Sequence, residues 1–210
     1  MIKVLIVDDH AVVRRGLRQI LADAGDVEVV GEVEDYAGLT AALRNAVPDV
    51  LLLDISLKGS SGIDVLKAMR ERHPKLSVLM LSMFPEDQYG MRALKAGASG
   101  YLTKDAAPER LIEAVRCAAA GKKYVSPGLA ALLAERLSEP AAGAPHERLS
   151  DREFETLKLI ASGRKLSEMA EQMHLSPKTV SVYRARLLEK LNLRSNTELA
   201  HYAIRNGLID

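Results

Sequence analysis

Four consecutive apolar residues, Val50-Leu51-Leu52-Leu53, ending in Asp54, constrain this chain more than any other stretch. An apolar run this short, rich in branched side chains and preceded by Pro48 and Asp49, predicts a strand buried on both faces. Such strands belong to parallel sheets with helices on either side. In open α/β sheets the functional crevice lies beyond the carboxyl ends of the strands, and Asp54 falls at that end. Taken singly, Asp54 is a polar residue leaving a strand for its loop. The other strand ends decide its meaning.

Residues 1–120 alternate between the two periods of regular structure. Ile2 to Val7 reads as a strand ending in Asp8 and Asp9, and Val13, Leu17, Ile20 and Leu21 place a helix over about His10 to Asp23. Val27 to Val33 is a second strand, and Asp35 opens a helix with Leu39, Ala42 and Leu43 inward. After the Val50 strand, Ile63, Leu66 and Met69 mark a third helix and Ser77 to Leu81 a fourth strand. A helix follows Pro85, then a short strand around Tyr101 and Leu102, then a helix from Pro108 to Ala120. Five βα units in this length predict a doubly wound, five-stranded parallel sheet.

The polar residues that end these strands are Asp8 and Asp9, Asp54, Ser82 and, after the fifth, Lys104. In a doubly wound sheet all of them share one edge. Three carboxylates repel one another unless a cation sits among them, and a hard ion such as Mg²⁺ suits them. A metal beside a carboxylate nucleophile and a lysine is equipment for phosphoryl transfer.

Composition narrows the setting. With 210 residues, 48% hydrophobic and 27% charged, this is an ordinary globular chain long enough for two small domains. The single cysteine, Cys117, excludes an internal disulfide framework and suits a reducing cytoplasm. No apolar run approaches the length of a membrane span, and Met1-Ile2-Lys3 begins a strand rather than a signal peptide.

From 121 the pattern changes. Gly121-Lys122-Lys123 and Ser126-Pro127 break it, Leu129 to Leu137 reads as a short helix, and Glu139 to Pro145 has a tether's composition. Residues 121–148 are therefore expected to be a linker. From Leu149 to residue 210 everything is helical. Ser150 and Glu153 form a capping box opening a helix with Phe154, Leu157 and Ile160 inward, closed at Gly163. Leu166, Met169, Ala170 and Met173 give a second helix. Ser176-Pro177 caps a third, with Val180, Leu187, Leu188 and Leu191 inward. A fourth runs from about Ser195 to Arg205 with Leu199, Tyr202 and Ala203 inward.

Two helices joined by a tight turn, the second basic outside, predict a helix-turn-helix. Its outer face carries Lys178, Thr179, Ser181, Val182, Ala185 and Arg186. Lys178, Thr179 and Arg186 suit phosphates, the small residues allow deep entry into a major groove, and Val182 suits a thymine methyl. His73, His146, His174 and His201 share no metal-ligand spacing and receive no chemistry.

Val-Asp-Asp-His at 7–10, the strand ending at Asp54, Leu81-Ser82 and Gly-Ala-Ser-Gly-Tyr-Leu-Thr-Lys at 97–104 resemble the receiver domain of bacterial response regulators. Leu149-Ser-Asp-Arg-Glu153, Ala170, Leu175-Ser-Pro-Lys-Thr-Val180 and Lys190-Leu191 resemble a LuxR-type output domain, so the whole chain resembles the NarL/FixJ class. The resemblance implies a flavodoxin-like receiver over 1–120 and a four-helix DNA-binding domain over 149–210. It implies that Asp54 accepts a phosphoryl group from a sensor histidine kinase. Asp8, Asp9, Asp54 and the Ser56 main-chain carbonyl would hold Mg²⁺, Lys104 and Ser82 would meet the phosphoryl oxygens, and Tyr101 would turn inward behind Ser82. It further implies a transcription regulator rather than an enzyme. A phosphorylated homodimer would bind a two-fold symmetric double-stranded DNA site, with RNA polymerase as a further partner. Three residues depart from the receiver pattern. Lys58 adds a cation, Asp105 removes a proline, and Gly90 is expected to loosen its helix at a cost of about 1 kcal/mol. In the output domain, Tyr183 stands where many members have histidine.

Overall fold

The computed structural model describes residues 1–58, 60–138 and 144–209, with residues 136–138 described by backbone alone. The chain divides after Ser138 into two compact units, each taken here by itself.

The first unit runs β1 (Ile2–Val7), α1 (Ala11–Asp23), β2 (Val27–Val33), α2 (Tyr36–Asn45), β3 (Val50–Asp54), β4 (Ser56–Leu57), β5 (Ser60–Ser61), α3 (Gly62–Arg72), β6 (Ser77–Ser82), α4 (Glu86–Lys95), β7 (Gly100–Thr103), α5 (Pro108–Ala119) and α6 (Pro127–Ser138). Five strands make one parallel sheet in the order β2-β1-β3-β6-β7. All five residues of β3 are buried at its centre. Because side chains alternate across a strand, the sheet fills two layers. Val4, Ile6, Val50, Leu52, Leu79 and Leu81 meet Leu17 and Leu21 of α1 and Leu111 and Val115 of α5. Leu5, Val7, Leu51, Leu53, Val78 and Met80 are equally buried and point the other way, where Leu39, Leu43, Ile63, Leu66 and Met69 are buried too. Each such leucine contributes roughly 1.5–3 kcal/mol of burial. The helix starts follow local chemistry: Asp35 accepts from the Gly38 N–H (2.7 Å) and Ser61 from the Ile63 N–H (3.3 Å).

Two features of this unit were not expected. Strands β4 and β5 pair antiparallel, Ser56 with Ser61 and Leu57 with Ser60. This hairpin folds the chain back on the end of β3, where the Gly62 N–H donates to the Ile55 carbonyl at 2.7 Å.

The second is the start of the expected linker, which is structured. Tyr124 bridges to Gly100 in parallel, its N–H donating to the Ser99 carbonyl at 2.7 Å. Lys123 donates to the Gly97 and Ala98 carbonyls. At the start of α6 the Ser126 hydroxyl accepts from the Leu129 N–H at 3.1 Å and donates to Glu86 on α4. Leu129 is fully buried, and a Cβ placed on Gly90 would lie 2.9 Å from its Cδ1. The expectation that Gly90 loosens α4 is thereby corrected. The missing side chain is a socket, and packing against α6 offsets the helical cost of glycine. The tether composition at 139–143 lies outside the described residues.

The second unit opens on a 3₁₀ turn (Pro145–Arg148), followed by α7 (Asp151–Ala161), α8 (Leu166–Gln172), α9 (Pro177–Leu191) and α10 (Asn196–Arg205). The capping box is present in both directions: the Ser150 N–H donates to Glu153 at 2.8 Å and the Glu153 N–H to the Ser150 hydroxyl at 3.3 Å. Phe154, Leu157, Ile160, Met169, Ala170, Met173, Val180, Leu187, Leu191, Leu199 and Ala203 are buried. Leu166, expected inward, is instead 38% exposed at the first position of α8. His146 is buried with its Nδ1 3.1 Å from the Tyr202 hydroxyl and its ring beside Phe154.

Candidate functional site

The strand ends converge as the sheet order requires. Asp8 follows β1 and Asp54 ends β3, neighbours in the sheet, with side chains 1% and 2% exposed. Lys104 follows β7, anchored by its N–H donating to the Ser82 carbonyl at 2.7 Å. Its ammonium lies 2.7 Å from Asp8 Oδ2 and 2.8 Å from Asp54 Oδ2, joining the two carboxylates. Burial pushes the Asp54 carboxyl above its ordinary range. Lys104 pulls against that rise, and the like charge of Asp8 adds to it. Desolvation works to lower Lys104, but the Asp54 and Asp8 carboxylates outweigh it and leave the ammonium above its ordinary value. A carboxylate held partly against its own ionisation beside a cation is a functional-site signature.

Ligand atoms of Asp8, Asp9, His10 and Asp54 lie within 4.8 Å of one another. His10, by sequence a loop histidine next to the acidic pair, is the fourth member; its Nδ1 sits 2.7 Å from Asp9 Oδ1 and 3.3 Å from Asp8 Oδ1. The oxygen-rich donor set fits a hard divalent cation, which takes one or two carboxylates and keeps several waters. Ser56 lies in β4, just past Asp54, and its backbone N–H helps to hold the Asp54 carboxyl down.

Ser82, buried at the end of β6, accepts from the Phe84 N–H at 3.0 Å. Tyr101 is fully buried and inward already, donating to the Phe84 carbonyl at 2.7 Å. Desolvation pushes its hydroxyl far above the ordinary tyrosine range. The Phe84 ring stacks on Tyr89 of α4, with centroids 5.0 Å apart. Lys58 is exposed in the turn after β4.

In the second unit, α8 and α9 are joined by a tight turn in which His174 takes φ 53°. Ser176 caps α9 by accepting from the Thr179 N–H at 3.1 Å, with Pro177 at the first helical position. Lys178, Ser181, Val182 (44% exposed), Ala185 and Arg186 all face solvent along α9. Thr179 is half-buried with its hydroxyl 2.8 Å from that of Ser176, and the Ser181 hydroxyl donates to the Pro177 carbonyl. Behind this face, Lys190 reaches Glu153 at 2.7 Å, tying α9 to the capping box of α7. Tyr183 is half-buried beside Arg184, whose Nε donates to Asn196 on α10.

Together, a flavodoxin-like sheet with an acid–lysine pocket and a separate helix-turn-helix unit define a receiver joined to a DNA-binding output. The response regulator receiver domain family matches residues 4–116, and the bacterial regulatory proteins of the luxR family match residues 147–203. Response regulator GacA of Pseudomonas syringae is 38% identical over 100% of this chain and 99% of its own length. Response regulator UvrY of Escherichia coli is 38% identical over 99% of this chain and 96% of its own. Among solved structures, RcsB of Salmonella enterica serovar Typhimurium, bound to a promoter in the presence of phosphomimetic BeF₃⁻, matches with TM-score 0.64 and 31% identity, covering 96% of this chain and 97% of that one.

The chain belongs to the response regulators with a LuxR-type output domain. It is a two-component regulator of transcription and not an enzyme. Among the described residues, no helix is long and apolar enough to cross a membrane.

Proposed function

We propose that Asp54 is the phosphoacceptor through which a sensor histidine kinase controls this chain's binding to DNA. The observation that carries the reading is the buried Asp54 carboxylate 2.8 Å from Lys104 and joined through it to Asp8. In the step itself an Asp54 oxygen attacks phosphorus, forming an O–P bond while the N–P bond to the donor imidazole breaks and its electron pair returns to that ring. Lys104 holds the carboxylate in place and meets the phosphoryl oxygens afterwards, and the Ser82 hydroxyl donates to another of them. Asp8, Asp9, Asp54 and the Ser56 carbonyl would hold Mg²⁺, which supplies charge neutralisation around the transferring group. The product carries roughly −2 charge, and satisfying it biases the segment from Ser82 through α4. Tyr101 belongs to that switch.

The phosphorylated form pairs into a homodimer and sets two α9 helices on a two-fold symmetric double-stranded site. Lys178 and Arg186 grip phosphates, and Ser181, Val182 and Ala185 enter the major groove. Thr179, engaged with Ser176, contributes through its position at the helix start. The setting is the cytoplasm, and RNA polymerase is the further partner of the DNA-bound form.

Incubation with acetyl phosphate and Mg²⁺ is expected to add one phosphoryl group by intact mass and shift light scattering toward a dimer. The Asp54→Asn chain is expected to do neither. If that variant still dimerises and binds DNA as the unmodified chain does, the assignment fails. Replacing Arg186 by alanine should weaken binding across DNA sequences and lower the salt slope of the affinity by about 1. An unchanged slope would remove Arg186 from the phosphate contacts.

A further inference from the structure

Helix α6 rests on α4 through two fastenings one helical turn apart on each partner. The polar one is the Ser126 hydroxyl donating to Glu86, which lies in the first turn of α4. The apolar one is Leu129, fully buried and seated where Gly90 has no side chain. Glu86 and Gly90 are four residues apart, so they share a face of α4, and Ser126, just before α6, lies three residues from Leu129 in its first turn and accepts from its N–H. The fit has no slack, since even a methyl on Gly90 would lie 2.9 Å from Leu129.

The same stretch of α4 is continuous with the phosphoacceptor pocket. The Ser82 hydroxyl accepts from the Phe84 N–H, the Phe84 ring stacks on Tyr89, and Tyr101 holds the Phe84 carbonyl. Tyr89 immediately precedes the Gly90 socket, and Glu86 follows Phe84 by two residues. A shift of Ser82 toward a phosphoryl oxygen therefore pulls on the segment that begins α4. Both fastenings demand one rotation of that helix, and turning it strains them together.

We propose that α6 is a latch on α4 that phosphorylation of Asp54 releases, with Glu86–Ser126 and Gly90–Leu129 as its two catches. This deepens the phosphoacceptor reading and rests on it. The latched form holds the last helix of the first unit against the switch helix, and phosphorylation frees it. Linkage makes the coupling reciprocal: whatever loosens α6 must favour the phosphorylated arrangement by the same factor.

The test uses the full chain with beryllofluoride and Mg²⁺ as a stable stand-in for the phosphoryl group. Hydrogen exchange of residues 127–135 is expected to speed up roughly tenfold when beryllofluoride binds, within the usual range of coupling between sites. Leu129→Ala is expected to show that faster exchange without ligand and to bind beryllofluoride more tightly by a similar factor. Gly90→Ala provides a second variant that keeps every core side chain, favours the helical state of α4 and evicts Leu129; it should behave in the same way. Beryllofluoride bound with α6 exchange unchanged would overturn the latch while leaving the phosphoacceptor in place. So would either variant binding beryllofluoride no more tightly than the unmodified chain. If the unmodified chain takes up neither beryllofluoride nor a phosphoryl group, the phosphoacceptor reading itself fails and the latch falls with it.

Discussion

Lys104→Met is expected to destabilise the first unit by about 3 kcal/mol at neutral pH, because it leaves two buried carboxylates without their cation. Asp8 and Asp54 both lie within 3 Å of the Lys104 ammonium and are almost wholly removed from water. Burial already pushes Asp54 above the ordinary carboxyl range, with Lys104 the main influence holding it down. Without that influence its folded pKa rises further. A carboxyl raised in the folded state contributes stability that is fully present below its unfolded pKa, near 3.9, and lost as pH rises through the folded value. The deficit of the variant should therefore be largest at pH 7 and shrink as pH falls toward 5. In the unmodified chain the raised Lys104 works at the other end. Its contribution is present below the ordinary lysine pKa and disappears as pH climbs through the folded one. Millimolar Mg²⁺ should restore part of the loss, since it supplies another cation to the same oxygens. Urea titrations of both chains between pH 5 and 8, with and without Mg²⁺, measure this directly. A deficit that does not change with pH would show that Lys104 is not the countercharge of the pocket.

The pocket was legible in the sequence because it depends on strand ends, and strand ends follow from hydrophobic period. Asp8, Asp54, Ser82 and Lys104 each terminate an apolar run, and a parallel sheet has one carboxyl edge. The sequence sets His10 next to the acidic pair as a loop histidine, and only the turn that opens α1 brings its Nδ1 onto Asp9. Hydrophobic period could not reach the β4–β5 hairpin, since two-residue strands leave no period to read. Gly90 shows the sharper limit. A glycine inside a helix reads as a local cost, while its use here lies in a leucine 39 positions away on a segment that reads as linker. In the output unit the capping box, the Ser176-Pro177 start and the apolar spacing are short-range and located the helices, although the spacing put Leu166 inward where it is exposed. Ser181 is exposed and Thr179 half-buried, but the bonds of their hydroxyls to the Pro177 carbonyl and to Ser176 are visible only in three dimensions.

Among the described glycines, Gly62 is where an added methyl group should be most damaging. A Cβ there would lie 2.0 Å from the Asp54 carbonyl oxygen and 2.8 Å from the Ile55 Cα, and both are backbone atoms with no rotamer to yield. The Gly62 N–H also donates to the Ile55 carbonyl at 2.7 Å, so the start of α3 cannot retreat without breaking that bond. Overpacking costs typically about 1–3 kcal/mol, and rigid backbone neighbours put this case at the upper end of that range. The strain falls on the proposed phosphoacceptor, so uptake from acetyl phosphate should drop roughly tenfold or more, as small displacements of a reacting group produce. Gly16→Ala is the matched control. It lies in α1, where an added Cβ meets nothing within 4 Å. Removing the glycine there should stabilise the chain by about 0.5–1 kcal/mol with phosphoryl uptake unchanged. The pair separates backbone conformational cost from close approach, since both replace a helical glycine with the same residue. Equal effects at the two positions would mean that the contact between Gly62 and the end of β3 does not position Asp54. A loss of uptake confined to Gly62→Ala, in a chain that still unfolds cooperatively, would establish that it does.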